Sequence, residues 1–252
     1  MVQSLIKVVL VIIQLQYRTV SAQALQISCF ATRHFSTISE HAPSWKSSES
    51  LTLTNCDETT LRNITGHLKS VKRLFIDGNN LKDLNLDVFT GTTNLETLSL
   101  QRNSLSRVPS GVFSSLAQLK RLYLSHNELQ QLEDGAFEGL RNVVYLDLSF
   151  NRLRKLDGIP FIHTKNLREL SVSDNNISDI DCDFYKRTKS VEILNLSSNS
   201  LWYLKECMRG NLHTVDLSKN YFRYVPDFVG IVVKQVNMSH NRIESVNVSV
   251  RL

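Results

Sequence analysis

The sequence of 252 residues lacks long apolar runs, blocks of like charge and catalytic motifs. The apolar run at residues 8–13 is too short to span a bilayer, and no later stretch is long or apolar enough, so no membrane span is expected. The formal net charge is +5, and the basic residues are scattered among acidic ones. This distribution argues against a nucleic-acid partner.

Residue patterns of known catalytic and metal sites are also missing. The seven histidines are dispersed, and none has a partner at the spacing of metal ligands. There is no G-x-S-x-G, no phosphate-binding glycine loop and no H-E-x-x-H. We therefore expect a protein that is not an enzyme and that carries no metal or cofactor.

The N-terminal residues 1–22 have the pattern of a secretory signal peptide. Lys7 precedes the apolar run, and Val20, Ser21 and Ala22 offer the small residues that a signal peptidase requires. A secreted, extracellular chain is therefore expected. N-x-S/T sequons are consistent with this compartment and predict a glycoprotein. They occur at Asn63, Asn176, Asn195, Asn237 and Asn247.

The rest of the chain repeats one pattern, L-x-x-L-x-L-x-x-N-x-L-x-x-L followed by an aromatic residue. The first five copies recur every 24 residues, and the later copies are spaced by 21. Eight copies in one frame predict a leucine-rich repeat solenoid over residues 51–252. The copies start at Val71, Leu95, Leu119, Val143, Leu167, Val191, Leu212 and Val233.

Each template position predicts a structural role. The x-L-x-L-x segment alternates apolar and polar residues, as in a short strand with its leucines inward. The Asn column, for example Asn127, is expected to bond backbone groups where the chain turns. The aromatic column is expected to fill the back of each coil. The fold class is thus an α/β solenoid, a horseshoe with a parallel concave sheet and an irregular or short-helical convex side.

The four cysteines predict two disulfides. Cys182 and Cys207 occupy nearly the same phase of adjacent coils, about one strand spacing or roughly 5 Å apart, which suits a disulfide. Cys29 and Cys56 bracket the region before the repeats and are paired with each other. The alternative is that Cys56, at the Asn position of a half-copy, is a buried free thiol.

The two ends of the array are expected to differ. Residues 23–50 predict an N-terminal cap tied by Cys29 and Cys56, with Trp45 as its lid. No cap is expected after the last repeat, so either further sequence or another chain would cover its apolar residues. These residues are Val236, Met238, Ile243 and Val246.

The concave surface is the candidate binding site. Exposed aromatic and arginine residues are typical of interface hot spots, and they are concentrated in coils one to four. We expect the alternation to continue up to the Asn, so Ser125 is expected to point outward. The alternative is an unspecialised spread of surface residues. The candidate ligand-binding residues are Arg73, Phe75, Arg102, Arg121, Tyr123, Tyr145, Asp147 and Phe150.

Two segments carry a family resemblance. The L-x-L-S-x-N of residues 146–151 and the G-x-F-x-x-L of residues 135–140 resemble the extracellular repeats of Toll, Slit and related animal receptors. More narrowly, the signal, the cysteine-tied cap and the array disulfide resemble the secreted leucine-rich immune proteins of mosquitoes. That resemblance implies complexes with a complement-like thioester protein or another leucine-rich repeat chain. The chain shows no counterpart of that family's cysteine motif and coiled coil.

Two functions follow from these expectations. The first is a secreted innate-immune recognition or scaffold protein that binds protein ligands. The second is a cell-adhesion or matrix protein, or part of a receptor ectodomain.

Overall fold

The main element of the fold is one parallel sheet. The computed structural model describes residues 24–29, 48–66, 68–205, 207, 210–228 and 233–245. The expected signal of residues 1–22, Trp45, Val246 and the sequon at Asn247 lie outside the described residues. Ten strands follow one another in chain order across the sheet, all parallel.

Each coil contributes one strand to this sheet. The strands are β1 (Ala24–Ser28), β2 (Ser50–Thr54), β3 (Arg73–Phe75), β4 (Thr97–Ser99), β5 (Arg121–Tyr123), β6 (Tyr145–Asp147), β8 (Glu169–Ser171), β10 (Ile193–Asn195), β11 (Thr214–Asp216) and β12 (Gln235–Asn237). β7 (Lys155–Leu156) and β9 (Asp179–Ile180) form a separate two-stranded sheet. The leucine-rich repeat solenoid is therefore confirmed, including the change of spacing after β10.

The register of the sheet aligns equivalent template positions. Leu74, Leu98, Leu122 and Leu146 are successive partners in β3 to β6, and all four are fully buried. Each such leucine contributes roughly 1.5–3 kcal/mol of burial free energy. Side chains alternate along a strand, so the neighbours of each leucine face the concave side. The sheet thus presents two ordered columns of variable residues.

The side chains of the Asn column bond the backbone N–H and C=O groups at the turn that ends each strand. The Asn127 Nδ2 donates to the Leu124 and Leu100 carbonyls, both at 3.0 Å, and its Oδ1 accepts from the Leu105 N–H at 3.1 Å. It therefore joins its own coil to the preceding one. Equivalent bonds recur in the other coils. The structural role predicted for this column is confirmed.

The residue before each Asn has a left-handed backbone. This position holds Asn55 and Gly78 in the first coils, and every one of its φ values is positive. The later members are Arg102, His126, Phe150, Asp174, Ser198, Lys219 and His240. A non-glycine residue in this region is uncommon. The left-handed turn ends the alternation of the strand, so side chains after it no longer follow the strand's two faces.

One expectation about this turn was wrong. Ser125 does not offer an exposed side chain to the concave surface, since it is only 2% exposed. Its strand ends at Tyr123, and the chain already turns at His126, so the alternation does not extend to Ser125. Ser149 and Ser173 are buried in the same way. The concave face is narrower than the sequence pattern predicted.

The back of the solenoid is filled by aromatic side chains. Phe89, Phe113, Phe137 and Phe161 are fully buried, and Tyr185 is 1% exposed, as predicted. Short helices lie on this side, namely α1 (Glu58–Thr65), α2 (Cys182–Arg187) and a 3₁₀ turn at Ile159–Phe161. α1 begins after Asp57, whose carboxylate accepts from the Thr60 N–H at 2.7 Å.

Both predicted disulfides are present. Cys29 and Cys56 have Cα atoms 4.9 Å apart, and Cys182 and Cys207 have Cα atoms 5.5 Å apart. The alternative of a free thiol at Cys56 is therefore wrong. The Cys56 N–H donates to the Asn79 Oδ1 at 2.7 Å, which extends the Asn ladder into the half-copy. Cys182 is the first residue of α2, so its disulfide ties this helix to the next coil.

Candidate functional site

Two strand positions form the floor of the concave site. The first strand position carries Arg73, Thr97, Arg121 and Tyr145 in successive coils, and the last carries Phe75, Ser99, Tyr123 and Asp147. Adjacent strands lie about 4.8 Å apart. Six of the eight predicted site residues therefore lie on three of these four neighbouring strands, namely β3, β5 and β6.

The centre of this surface is a pair of tyrosines. Tyr123 ends β5 and Tyr145 begins β6, and their ring centroids are 5.1 Å apart with planes tilted by 43°. Both side chains are half-buried. Burial raises the pKa of Tyr145 to about 12, and the nearby carboxylate of Asp147 adds to the effect. The Tyr145 hydroxyl thus remains protonated at neutral pH and can donate a hydrogen bond to a ligand.

Asp147 is held in one orientation. Its Oδ1 accepts from the Ser149 Oγ at 2.6 Å and from the Ser149 N–H at 3.0 Å. Asp147 is the register partner of Tyr123. The carboxylate is consequently fixed beside the tyrosine pair and can accept from a donor on a ligand.

The third part of the site is the column of residues with left-handed backbone that precede each Asn. Phe150 is 46% exposed, and its ring stacks on His126 with centroids 4.2 Å apart and planes 7° apart. Arg102 precedes His126 in the same column. The equivalent left-handed position holds residues as different as Arg102, Asp174 and Lys219 in other coils. Phe150 is thus an exposed ring that the fold itself does not require.

His126 is a site residue that the sequence reasoning missed. The sequence pattern predicts an outward position for His126 but does not mark it as a ligand-binding residue, since it has no partner at metal-ligand spacing. The signal that could have found it is the 24-residue offset between His126 and Phe150, which places them side by side in adjacent coils.

Phe75 and Arg73 lie apart from the tyrosine pair. Thr97 and Ser99 stand between them and coil three, and these small side chains are 7% and 1% exposed. Two strand spacings, about 9–10 Å, therefore separate Phe75 from Tyr123. The predicted residues form a main patch on coils three and four and a smaller one on coil one.

The arginines of the site differ from the lysines beside them. At the position before the strand, Lys72 pairs with Glu49 at 2.7 Å and Lys120 pairs with Glu96 at 2.8 Å. Among the described residues, no ion pair is found for Arg73, Arg102 or Arg121. The guanidinium groups are therefore available to carboxylates of a ligand.

The last strand position of the later coils is small and polar, whereas the first position carries Ile193 in coil six, which is 41% exposed. The last strand position holds Ser171, Asn195, Asp216 and Asn237. The Asn195 Oδ1 accepts from the Ser197 N–H at 3.0 Å, and the Asn237 Nδ2 donates to the Asp216 Oδ2 at 3.2 Å. Of the other described sequons, Asn63 and Asn176 have exposed side chains. Glycosylation at these positions stays a prediction.

Within the described ranges, no group of three or more His, Cys, Asp or Glu side chains could hold a metal ion. No helix in the same part of the chain combines the length and the hydropathy needed to cross a bilayer.

Comparison with known proteins identifies the fold. A family model described as leucine rich repeat matches residues 69–129 and 93–153, and a second leucine-rich repeat model matches residues 166–186. No match was found among the curated protein sequences compared with the chain. The family models and the coil geometry agree on a leucine-rich repeat fold. Folds of this class typically serve as non-enzymatic scaffolds for protein binding.

Solved structures agree with this assignment. A chain of the Toll–Spatzle complex of Drosophila matches with 22% identity and a TM-score of 0.60, over 83% of this chain and 32% of that chain. The Leptospira interrogans protein LIC12759 matches with 23% identity and a TM-score of 0.68, over 80% of this chain and 51% of that one. The chain thus spans about a third and about half of these relatives. At such identities the likeness shows the fold alone.

The leucine-rich repeat domain of APL1B also matches, with 21% identity over 76% of this chain and 68% of that domain. Its TM-score of 0.49 is too low to support an argument.

Proposed function

We propose that this chain is a secreted, extracellular protein-binding module that acts in innate-immune recognition or as a scaffold. The observation that carries the proposal is the patch of Tyr123, Tyr145 and Phe150 on the concave face, next to arginines without ion pairs. Aromatic residues and arginine dominate binding energy at protein interfaces. The two disulfides are typical of an oxidising compartment, which agrees with the expected signal peptide.

The proposed ligand is a protein that offers acidic and apolar groups to coils three and four. Arg102 and Arg121, which have no ion pair among the described residues, favour carboxylates, and the stacked Phe150–His126 pair favours an apolar side chain. The candidates are a complement-like thioester protein and another leucine-rich repeat chain. The Toll–Spatzle complex is itself a protein complex connected with innate immunity. Glycans on Asn195 and Asn237 would confine the ligand to the N-terminal half of the sheet.

The test uses substitutions that the repeats themselves supply. Tyr123→Ser introduces the residue that coil two has at the equivalent strand position, Ser99. Phe150→Asn introduces the residue that the half-copy has at the equivalent left-handed position, Asn55. We expect this double variant to melt like the wild type. The ligand is first isolated from body fluid with the secreted chain and identified by mass spectrometry. Binding should then weaken by about 2 kcal/mol or more, roughly thirtyfold.

The matched control changes the same template positions in coil seven. Asp216→Ser with Lys219→Asn should leave the affinity for the isolated ligand within about twofold, since surface residues outside a hot spot contribute little. Unchanged binding by the Tyr123→Ser/Phe150→Asn variant would reject the concave site.

The second candidate function is an adhesion or matrix protein, or part of a receptor ectodomain. It is favoured by the observation that the chain spans about a third of the chain it matches in the Toll–Spatzle complex. Sequencing the transcript beyond the codon of Leu252 discriminates the two. A membrane span encoded there would favour the receptor, whereas secretion into body fluid after infection would favour the first proposal.

A further inference from the structure

A second surface differs from the concave face and lies on the flank that follows each Asn turn. It consists of the first, third and fourth residues after the Asn. In coils one to five these flank positions are polar or charged throughout. They hold Asn80, Lys82, Asp83; Ser104, Ser106, Arg107; Glu128, Gln130, Gln131; Arg152, Arg154, Lys155; and Asn176, Ser178, Asp179. The fold therefore accepts polar residues at every flank position.

Coils six and seven carry aromatic residues at the same positions. Trp202 is 63% exposed, Tyr224 is 62% exposed and Tyr221 is 45% exposed. With Tyr203 and Val225 they line a groove of about 580 Å³. Because the equivalent positions of five other coils are polar, packing of the fold does not explain these rings. We call this groove the aromatic flank.

The rings of the aromatic flank are ordered by contacts. Trp202 lies 4.3 Å from Tyr203 between ring centroids, and the Tyr203 hydroxyl donates to the Asp179 Oδ1 at 3.3 Å. The Arg242 guanidinium lies 4.7 Å from the centre of the Tyr221 ring. The groove is therefore preorganised, which reduces the entropy lost when a ligand binds.

The charge of the groove is positive. Its two charged lining residues are Arg223 and Arg242. Arg223 forms a 3.6 Å pair with Glu244, in which both side chains are more than half exposed, so the pair is weak. No ion pair of Arg242 is found in the part of the chain that the structure describes. An anionic group on a ligand would complement this arginine while apolar groups contact the rings.

We propose that the aromatic flank is a second binding surface, and that its ligand is a short acidic segment of a partner protein with apolar side chains between its carboxylates. Exposed apolar patches rimmed by polar residues mark interaction sites. Trp, Tyr and Arg are the residue types enriched at hot spots. The flank and the concave patch lie on different faces and different coils, so the two surfaces can be occupied independently.

The experiment uses Trp202 as its own reporter. The sequence has two tryptophans, so Trp45→Phe leaves Trp202 as the sole source of tryptophan fluorescence. Three labelled octapeptides serve as probes: alternating Asp and Leu, alternating Lys and Leu, and alternating Asp and Ser. The Asp–Leu peptide should shift the Trp202 emission to shorter wavelength and saturate. It should bind at least about tenfold more tightly than either of the others, since only it offers both complementary charge and apolar contact.

Matched variants again come from the repeats. Tyr224→Gln introduces the residue that coil three has at the equivalent flank position, Gln131. Arg242→Glu introduces the residue that coil three has at the first flank position, Glu128. Each change should weaken the Asp–Leu peptide about tenfold or more without lowering the melting temperature, because one lost hot-spot contact has about this effect. The Tyr123→Ser/Phe150→Asn variant should bind the peptide normally, which separates this proposal from the concave site.

Three outcomes would overturn the proposal. One is that no peptide changes the Trp202 emission. Another is that the Lys–Leu peptide binds as tightly as the Asp–Leu peptide, which would show apolar contact without charge recognition. The third is that neutral oligosaccharides shift the emission when the peptides do not, which would make the aromatic flank a carbohydrate site.

Discussion

The two halves of the solenoid share the buried columns of the template and differ in repeat length and in the residues at the exposed positions. Coils three and four carry their rings on the concave side, in Tyr123, Tyr145 and Phe150, and have a polar flank. Coils six and seven have no aromatic residue at the two concave strand positions, where Ile193 is the exposed apolar side chain, and they carry their rings on the flank, in Trp202 and Tyr224. Since both halves share the buried leucine and asparagine columns, the packing of these columns does not explain where the rings lie.

Coil five lies at the change between these halves. It holds β9, α2 and Cys182, and the spacing of the strands becomes 21 residues after the following coil. The comparison therefore has a clear structural boundary, which makes it possible to perturb one half and observe the other.

Removal of a disulfide should have the largest effect on the stability of one half of the solenoid relative to the other. Cys29→Ser with Cys56→Ser opens a link of 27 residues, and Cys182→Ser with Cys207→Ser opens one of 25. Each should cost about 3–4 kcal/mol of unfolding free energy if loop entropy dominates. Hydrogen exchange should show faster opening of β1 and β2 in the first variant, and of α2 and coil six in the second. Uniform loss of protection across all coils in either variant would contradict independent halves.

Substitutions in the Asn ladder should have an intermediate effect. Asn127→Ala leaves buried backbone groups of coils two and three without partners, at a cost of about 1–3 kcal/mol. Asn241 makes equivalent bonds but is only half-buried, so water can replace its amide and Asn241→Ala should cost less. Thermal or denaturant unfolding measures both. Ser125→Ala is the control, since it removes a single hydroxyl beside the same turn.

Equal losses for Asn127→Ala and Asn241→Ala would show that the ladder stabilises both halves alike. A loss for Ser125→Ala as large as that for Asn127→Ala would show that the burial of the serine, and not the amide network, stabilises this turn.

The sequence predicted the parts of the molecule that the repeat constrains. Leu122, Asn127 and Phe137 occupy the roles expected of them, and the Cys182–Cys207 disulfide follows from phase within the repeat. Ser125 was placed wrongly because strand alternation was extended past a left-handed turn that hydropathy does not reveal.

The free positions were harder to interpret. His126 was missed because its significance depends on Phe150 in the next coil. The strand pattern does not predict the aromatic flank, whose positions follow the Asn turn, whereas a comparison of the third residue after each Asn singles out Trp202. A repeat thus predicts its own core from one coil, but it reveals sites only when coils are compared.

The smallest expected effect concerns the boundary coil itself. Tyr185 occupies the column in which the four preceding coils have phenylalanine, and it is 1% exposed. Its hydroxyl has no hydrogen-bond partner among the described residues. Removing an unsatisfied buried hydroxyl relieves a desolvation cost, so Tyr185→Phe should stabilise the protein by about 1 kcal/mol. Phe137→Tyr is the reverse control, and it should destabilise the protein because it introduces the same unpaired hydroxyl.

The pH dependence of this effect has a definite sign. Burial raises the pKa of Tyr185 above its ordinary value of 10.0, so above that pH the unfolded chain ionises this phenol while the folded chain keeps it neutral. The unfolding free energy of the wild type should therefore fall more steeply above pH 10.0 than that of Tyr185→Phe. Urea unfolding of both proteins across this range measures the difference. A destabilising effect of Tyr185→Phe would contradict this prediction. It would mean that the Tyr185 hydroxyl of the wild type has a hydrogen-bond partner, and that a polar contact stabilises coil five at the boundary between the two halves.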